Sequence, residues 1–178
     1  MIRKAVVAGQ FYPSHPAQLK KAIAGFKQNN TRQENALACI LPHAGYMYSG
    51  AVAVRTLASV HIPDTCIIVG PNHTGQGAPA SLMREGTWET PLGRIPVDTG
   101  LADDLLGCSH VLEDDPAAHL FEHSIEVMLP LIQELRGQEF SFVPVTLATE
   151  DELVYKDIAK SIAACIQKAG QKILLIAS

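Results

Sequence analysis

The sequence has no Cys-x-x-Cys pair and no other zinc-finger spacing, although four cysteines are present, Cys39, Cys66, Cys108 and Cys165. They are widely separated and read as buried free thiols behaving as small hydrophobes, which fits a reducing compartment. No apolar stretch approaches bilayer length, which excludes a membrane-spanning helix. Basic residues do not dominate: the formal net charge is −4 over 178 residues, which argues against an electrostatic nucleic-acid binder. There is no Gly-x-Ser-x-Gly elbow, no Walker loop and no Gly-x-Gly-x-x-Gly fingerprint, so serine hydrolysis and nucleotide binding have no sequence support. Aromatics are sparse at 6%, with Trp88 the single tryptophan, expected in the core or lining a pocket.

What remains is a globular composition, 47% apolar and 18% charged, of a length that suits one domain with its own core. The first ten residues carry charges and only a few apolar residues before Phe11-Tyr12-Pro13. That stretch is too short for a signal-peptide core and reads as mature protein, so a cytoplasmic location is expected.

Apolar runs alternate with helical patterns. Short runs at 37–41, 65–69, 79–83, 140–145 and 172–177 read as strands, the first two as buried strands of a parallel sheet and the last as another buried strand. The segment 86–97, broken by Pro91-Leu92-Gly93, reads as a hairpin. Helices are expected after Ser14-x-Pro16, over 51–60 with Ser49 as N-cap, and over 98–106. Another is expected from Ile125 to Leu135, kinked at Pro130 and stopped by Gly137, and a last one opens at the Thr149-to-Glu152 capping box. Residues 29–35 read as a loop, and His110–Leu112 as a brief strand. This alternation gives an α/β fold, a mostly parallel sheet sandwiched by helices.

Two loops carry the chemistry. Pro42-His43-Ala44-Gly45-Tyr46 and Gly70-Pro71-Asn72-His73-Thr74-Gly75 each follow an apolar run directly. Ligands in open α/β sheets bind beyond the carboxyl ends of strands. Two imidazoles converging from neighbouring strand ends can be two ligands of one metal ion; the plainer account is a turn cap and a proline contact. The stretch His119-Leu120-Phe121-Glu122-His123 satisfies the inverted zinc-peptidase pattern, with Glu122 as general base if all lie on one helix. The other reading starts the helix later and turns Glu122 and His123 to the same cleft as His43 and His73. The free N–H groups of the helix after Ser49 offer an anion site.

Taken together, Ala8-to-Pro13, Pro42-to-Tyr46 with Tyr48-Ser49-Gly50, Gly70-to-His73, Trp88-to-Gly93, His119, Glu122-to-Glu126 and Leu129-Pro130 resemble the Memo-like protein family. That family includes the bacterial AmmeMemoRadiSam system protein B, and it is similar in fold to the class III extradiol (LigB-type) dioxygenases, non-haem iron enzymes. The resemblance implies that His43 and His73 match two metal ligands, for a divalent metal: iron first, copper or zinc otherwise. It implies that His123, with Glu122 beside it, is an acid/base group or substrate contact. It implies metal-dependent redox or dioxygenase activity. The alternatives are a non-catalytic module that binds a peptide or partner protein, or a zinc peptidase. The implied partners are a small-molecule or peptide ligand and radical-SAM and AMMECR-type companions. The family's third ligand follows a Ser-Asp-x-x-His segment, which would begin where this sequence stops at Ser178, so a chain lacking the C-terminal part is expected.

Overall fold

The run beginning at Thr65 forms an inner strand of the main sheet, and its residues alternate between two cores. Cys66 and Ile68 point into one, Ile67 into the other, as the two-residue period of a strand buried on both faces requires. The computed structural model describes residues 1–27, 32–137 and 139–178. The elements are β1 (Ile2–Arg3), α1 (Pro16–Phe26), β2 (Ala38–Ile40), α2 (Tyr46–Ala58), β3 (Thr65–Pro71), β4 (Ala80–Leu82), β5 (Thr87–Thr90) and β6 (Gly93–Pro96). They continue with α3 (Thr99–Cys108), β7 (Glu113–Asp114), α4 (Ala117–Leu120), a 3₁₀ turn (Glu126–Met128), α5 (Leu129–Arg136), β8 (Ser141–Leu147), α6 (Glu152–Lys168) and β9 (Ile173–Ala177).

The main sheet has six strands in the order β2-β9-β3-β8-β4-β7, and only the β4–β8 pair is antiparallel. A smaller sheet, β1-β5-β6, contains the expected hairpin. Helices α1, α2 and α5 pack together beside one core, and α3 packs on α6 beside the other. The fold is therefore the α/β arrangement expected, a mostly parallel sheet between helical layers. No helix among the described residues is long and apolar enough to cross a membrane.

Several local expectations need correction. The 37–41 run is not a buried strand: β2 pairs only with β9 and lies at the sheet edge, leaving Leu37 76% and Ile40 78% exposed. The strands preceding the two histidine loops are not neighbours either, because β9, last in sequence, inserts between them. Helix α2 starts at Tyr46 with Gly45 as its cap, and Ser49 lies inside it, its hydroxyl donating to the Ala44 carbonyl at 2.9 Å. The Tyr46 amide donates to the Phe11 carbonyl at 2.8 Å, so a tertiary contact takes up that helix end.

Pro130 occupies the first turn of α5, where its missing N–H costs nothing, and so does not kink a helix interior. Asp151, not Thr149, caps α6 by accepting from Leu153 N at 2.8 Å. His15 caps α1 ahead of Pro16. The brief strand falls at Glu113–Asp114, not at 110–112. Gly137 ends α5 as expected, at a left-handed φ of 69°. Of the loop expected over 29–35, residues 29–31 lie outside the described residues.

Candidate metal centre

Three parallel strands end on one edge of the sheet, and each delivers part of the site. His43 follows β2, His73 follows β3, and Ser178 follows β9. The loop after β3 is shaped locally: Asn72 accepts from Thr74 N at 3.0 Å and Thr74 Oγ1 at 2.8 Å, while its own amide donates to Leu147 O at 2.8 Å. Such an Asx turn holds the intervening histidine in place. Opposite it, the turn between α4 and the 3₁₀ turn carries Glu122, His123 and Ser124. Ser124 Oγ donates to the Pro71 carbonyl at 2.8 Å, pinning that turn to the end of β3. This close approach needs Gly70, where a Cβ would sit 2.6 Å from Ser124 Oγ.

The rings of His43, His73 and His123 converge. Their centroids lie 5.3 Å (His43–His73), 5.9 Å (His43–His123) and 4.6 Å (His73–His123) apart, the last pair stacked. One potential ligand atom from each lies within 4.8 Å of those of the other two. Phe11 meets His123 edge-on at 4.8 Å.

Hydrogen bonds fix which ring nitrogen is free. Ser178 Oγ donates its single proton to Leu41 O, so it accepts from His43 Nδ1, which must carry the hydrogen. His73 Nδ1 lies 2.9 Å from Glu122 Oε1 and donates to that carboxylate. In both rings Nε2 is left with its lone pair. His123 Nδ1 lies 3.3 Å from the same Glu122 oxygen. Burial of Glu122 would raise its carboxyl, but hydrogen bonds from the His73 ring and from the Ser124 and His73 amides outweigh that and hold it at about 2. Burial lowers His43, with the neighbouring His73 and His123 adding to the effect. Burial also lowers His123, against the opposing pull of Glu122. Neutral imidazoles next to a fixed carboxylate are what metal ligation requires.

Beside the histidines opens a groove of about 880 Å³ whose walls are mainly apolar, including Phe11, Leu41, Tyr48 and Val52, and His43 and His123 also line it. The structure thus brings together His43, His73, His123 and Glu122.

His119 does not join them. Helix α4 ends at Leu120, so His119 and His123 do not lie one turn apart on a helix, and the geometry expected of the peptidase pattern is absent. His119 is 0% exposed, its ring 6.0 Å from Trp88, and neither ring nitrogen has a hydrogen-bond partner among the described residues. Burial, then the Arg3 charge, push it down to about 4 from the ordinary 6.5. Between those values the unfolded chain binds the proton and the folded chain does not. Stability from this group is therefore complete above pH 6.5 and is lost as pH falls through 4. The urea midpoint is expected to drop over that range, and His119→Leu to flatten the drop; an unchanged slope in the variant refutes the assignment.

Two residues went unseen in the sequence as parts of the support. Arg3, 1% exposed, pairs with the 0% exposed Glu126, and donates to the carbonyls of His119 at 3.1 Å and Glu122 at 2.6 Å. Glu126 also accepts from Val6 N, Val7 N at 3.0 Å and Tyr12 Oη at 2.6 Å. The Arg3 guanidinium lies 4.3 Å from the Trp88 ring centroid. This knot ties the N-terminal segment to the turn bearing Glu122 and His123. No local pattern marks it, because its partners stand more than a hundred residues apart.

The family model described as Memo-like protein matches residues 3–178. A MEMO1 family protein of Pyrococcus furiosus is 44% identical over 189 residues, covering 100% of this chain and 64% of the relative. One from Methanosarcina acetivorans is 40% identical over 178 residues, covering 99% and 66%. One from Sulfolobus acidocaldarius is 37% identical over 194 residues, covering 100% and 68%. The chain spans just under two thirds of the length of the first two relatives. With its motifs in order and the family model spanning almost every residue, the chain belongs to the Memo-like protein family.

Proposed function

We propose that this chain binds a divalent transition metal at His43 and His73 and uses it in dioxygenase-like redox chemistry on a small molecule. The observation that carries the metal part is the convergence of three imidazoles whose ligand atoms lie within 4.8 Å of one another. The donor set fits: two of the three rings have Nδ1 tied to an acceptor, and imidazole suits iron, copper and zinc alike. Bound iron or copper would supply redox chemistry, and zinc only Lewis acidity. The redox part rests on the resemblance of the family to the extradiol dioxygenases.

The chain's own residues have separate tasks in this reading. Glu122 orients His73 and raises the basicity of its Nε2, as carboxylates behind metal-bound histidines do. His123, held less closely and facing the groove, takes and returns protons at the ligand. The apolar walls receive the ligand's hydrophobic part and exclude water from it.

The test is anaerobic titration of metal-free protein with Fe(II), Zn(II) and Cu(II), with metal analysis. One ion per chain is expected, and Glu122→Gln is expected to weaken binding roughly 10–100-fold. Unchanged affinity in that variant overturns the role given to Glu122; sub-stoichiometric binding of all three metals overturns the proposal. The second reading, a non-catalytic module, is favoured by the exposed side chains of Met47 (82%) and Tyr48 (79%) near the groove. Peptide or partner binding that survives chelation would support it.

A further inference from the structure

Two cysteines on the sheet face opposite to α1, α2 and α5 come together across a helix pair. Cys108 is the last residue of α3, and Cys165 opens the last turn of α6. Two polar contacts set the register between these helices. Lys168 Nζ meets Asp104 Oδ1 at 3.1 Å, and Ser161 Oγ donates to the Cys108 carbonyl at 3.1 Å. Advancing along α3 from 104 to 108 thus means retreating along α6 from 168 to 161, so the helices run antiparallel. Ser161 and Lys168 lie four residues before and three after Cys165, on its face of the helix. That register sets Cys108 beside Ser161, one turn from Cys165 on the same face of α6, and both cysteines belong to the same apolar cluster. The Cys165 thiol donates to the Cys108 sulfur, and burial first, then that hydrogen bond, push it up to about 12. Cys165 is buried, whereas Cys108 is partly open to solvent.

We propose that Cys108 and Cys165 form an oxidisable dithiol, a disulfide-forming site separate from the histidine centre, whose reactant is a small hydroperoxide. The partly exposed Cys108, as thiolate, attacks one peroxide oxygen: the S–O bond forms, the O–O bond breaks, and the departing oxygen leaves as water after protonation. The Cys165 sulfur then attacks the Cys108 sulfenic acid. The S–S bond forms, the S–O bond breaks, and hydroxide leaves as water with the Cys165 proton. Two thiols and one hydrogen peroxide give one disulfide and two waters, and the two electrons pass from sulfur to peroxide oxygen.

Cys39 and Cys66 provide an internal control. They lie in β2 and β3 with β9 between them, which separates the strands by roughly 9–10 Å, beyond the roughly 7 Å that a disulfide tolerates between Cα atoms.

The test treats metal-free protein with equimolar hydrogen peroxide, blocks remaining thiols by alkylation, and maps peptides by mass spectrometry under non-reducing conditions. A peptide linked through Cys108 and Cys165 is expected, with Cys39 and Cys66 alkylated. Cys165→Ser is expected to leave Cys108 as a sulfenic acid that dimedone captures, and Cys108→Ser to abolish the linked peptide. Phenylarsine oxide, which bridges close thiols, is expected to bind one equivalent to the untreated protein and none to Cys108→Ser. Absence of the linked peptide, its appearance only between two chains, or equal arsenical binding in Cys108→Ser overturns the proposal. The linked peptide should form equally in His43→Ala/His73→Ala, so failure here is separable from failure of the metal assignment.

Discussion

Replacing His43 and His73 together by alanine is expected to reduce bound metal from one ion per chain to background while leaving the fold in place. The expectation for the fold comes from the environment of the rings. The His73 side chain is 47% exposed and His43 half-buried, and neither is part of a hydrophobic core. Glu122 loses one donor, the His73 ring, but keeps the amides of residues 73, 123 and 124, so its buried charge stays hydrogen-bonded. The expectation for the metal follows from what remains, a single imidazole at His123. Altering a group behind a ligand typically costs 10–100-fold in affinity, so removing two ligands should cost well above about 100-fold. Metal analysis after equimolar loading, beside circular dichroism melting, reads both outcomes. Equal metal in the variant and the parent would end the assignment.

The second large effect is expected at the other end of the support. Glu126→Ala would leave the Arg3 guanidinium buried with no anion, only the carbonyls of His119 and Glu122 as hydrogen-bond acceptors beside the Trp88 ring, and would strip the acceptor from Val6 N, Val7 N and Tyr12 Oη. Breaking a buried pair from one side costs roughly 3–5 kcal/mol. That is a large part of the about 5–15 kcal/mol that holds a typical domain together. At this chain length it corresponds to a fall in Tm of roughly 6–20 °C. Calorimetry or urea titration measures it. Glu89→Ala, which removes an exposed partner of Lys4 and Arg94, serves as control and should change little. A Glu126→Ala protein as stable as the control would refute the account. Metal affinity should fall as well, because the knot positions the turn that carries Glu122 and His123.

The uneven legibility of this fold in its sequence has physical reasons. Strand β3 is buried on both faces, so its composition announces it; the β5–β6 hairpin and the Gly137 stop depend on local backbone chemistry and were equally readable. Strand order is decided by which surfaces meet, and no period in the 37–41 run could show that β9 would take the inner place and leave β2 at the edge. The start of α2 was set by a contact with Phe11, a distant residue, which a cap search around Ser49 cannot detect. In the site, His43 and His73 stood out because Pro and Gly flank them at strand ends. Ser178 did not, because a serine becomes a tautomer lock only when β9 lies beside β2. The roles of Arg3 and Glu126 depend on a contact across 123 positions, beyond any local window.

One oxygen of Glu122 faces both the His73 and the His123 rings. The two imidazoles accordingly share a single anion, and their electron-donating power is a common stock. If His73 engages a cation at its far nitrogen, it draws the carboxylate more tightly to itself, and His123 is left with a weaker counter-charge and a weaker hold on any proton. In the proposed metal site, ion capture at one ring and proton release at the other would be geared together through that shared oxygen.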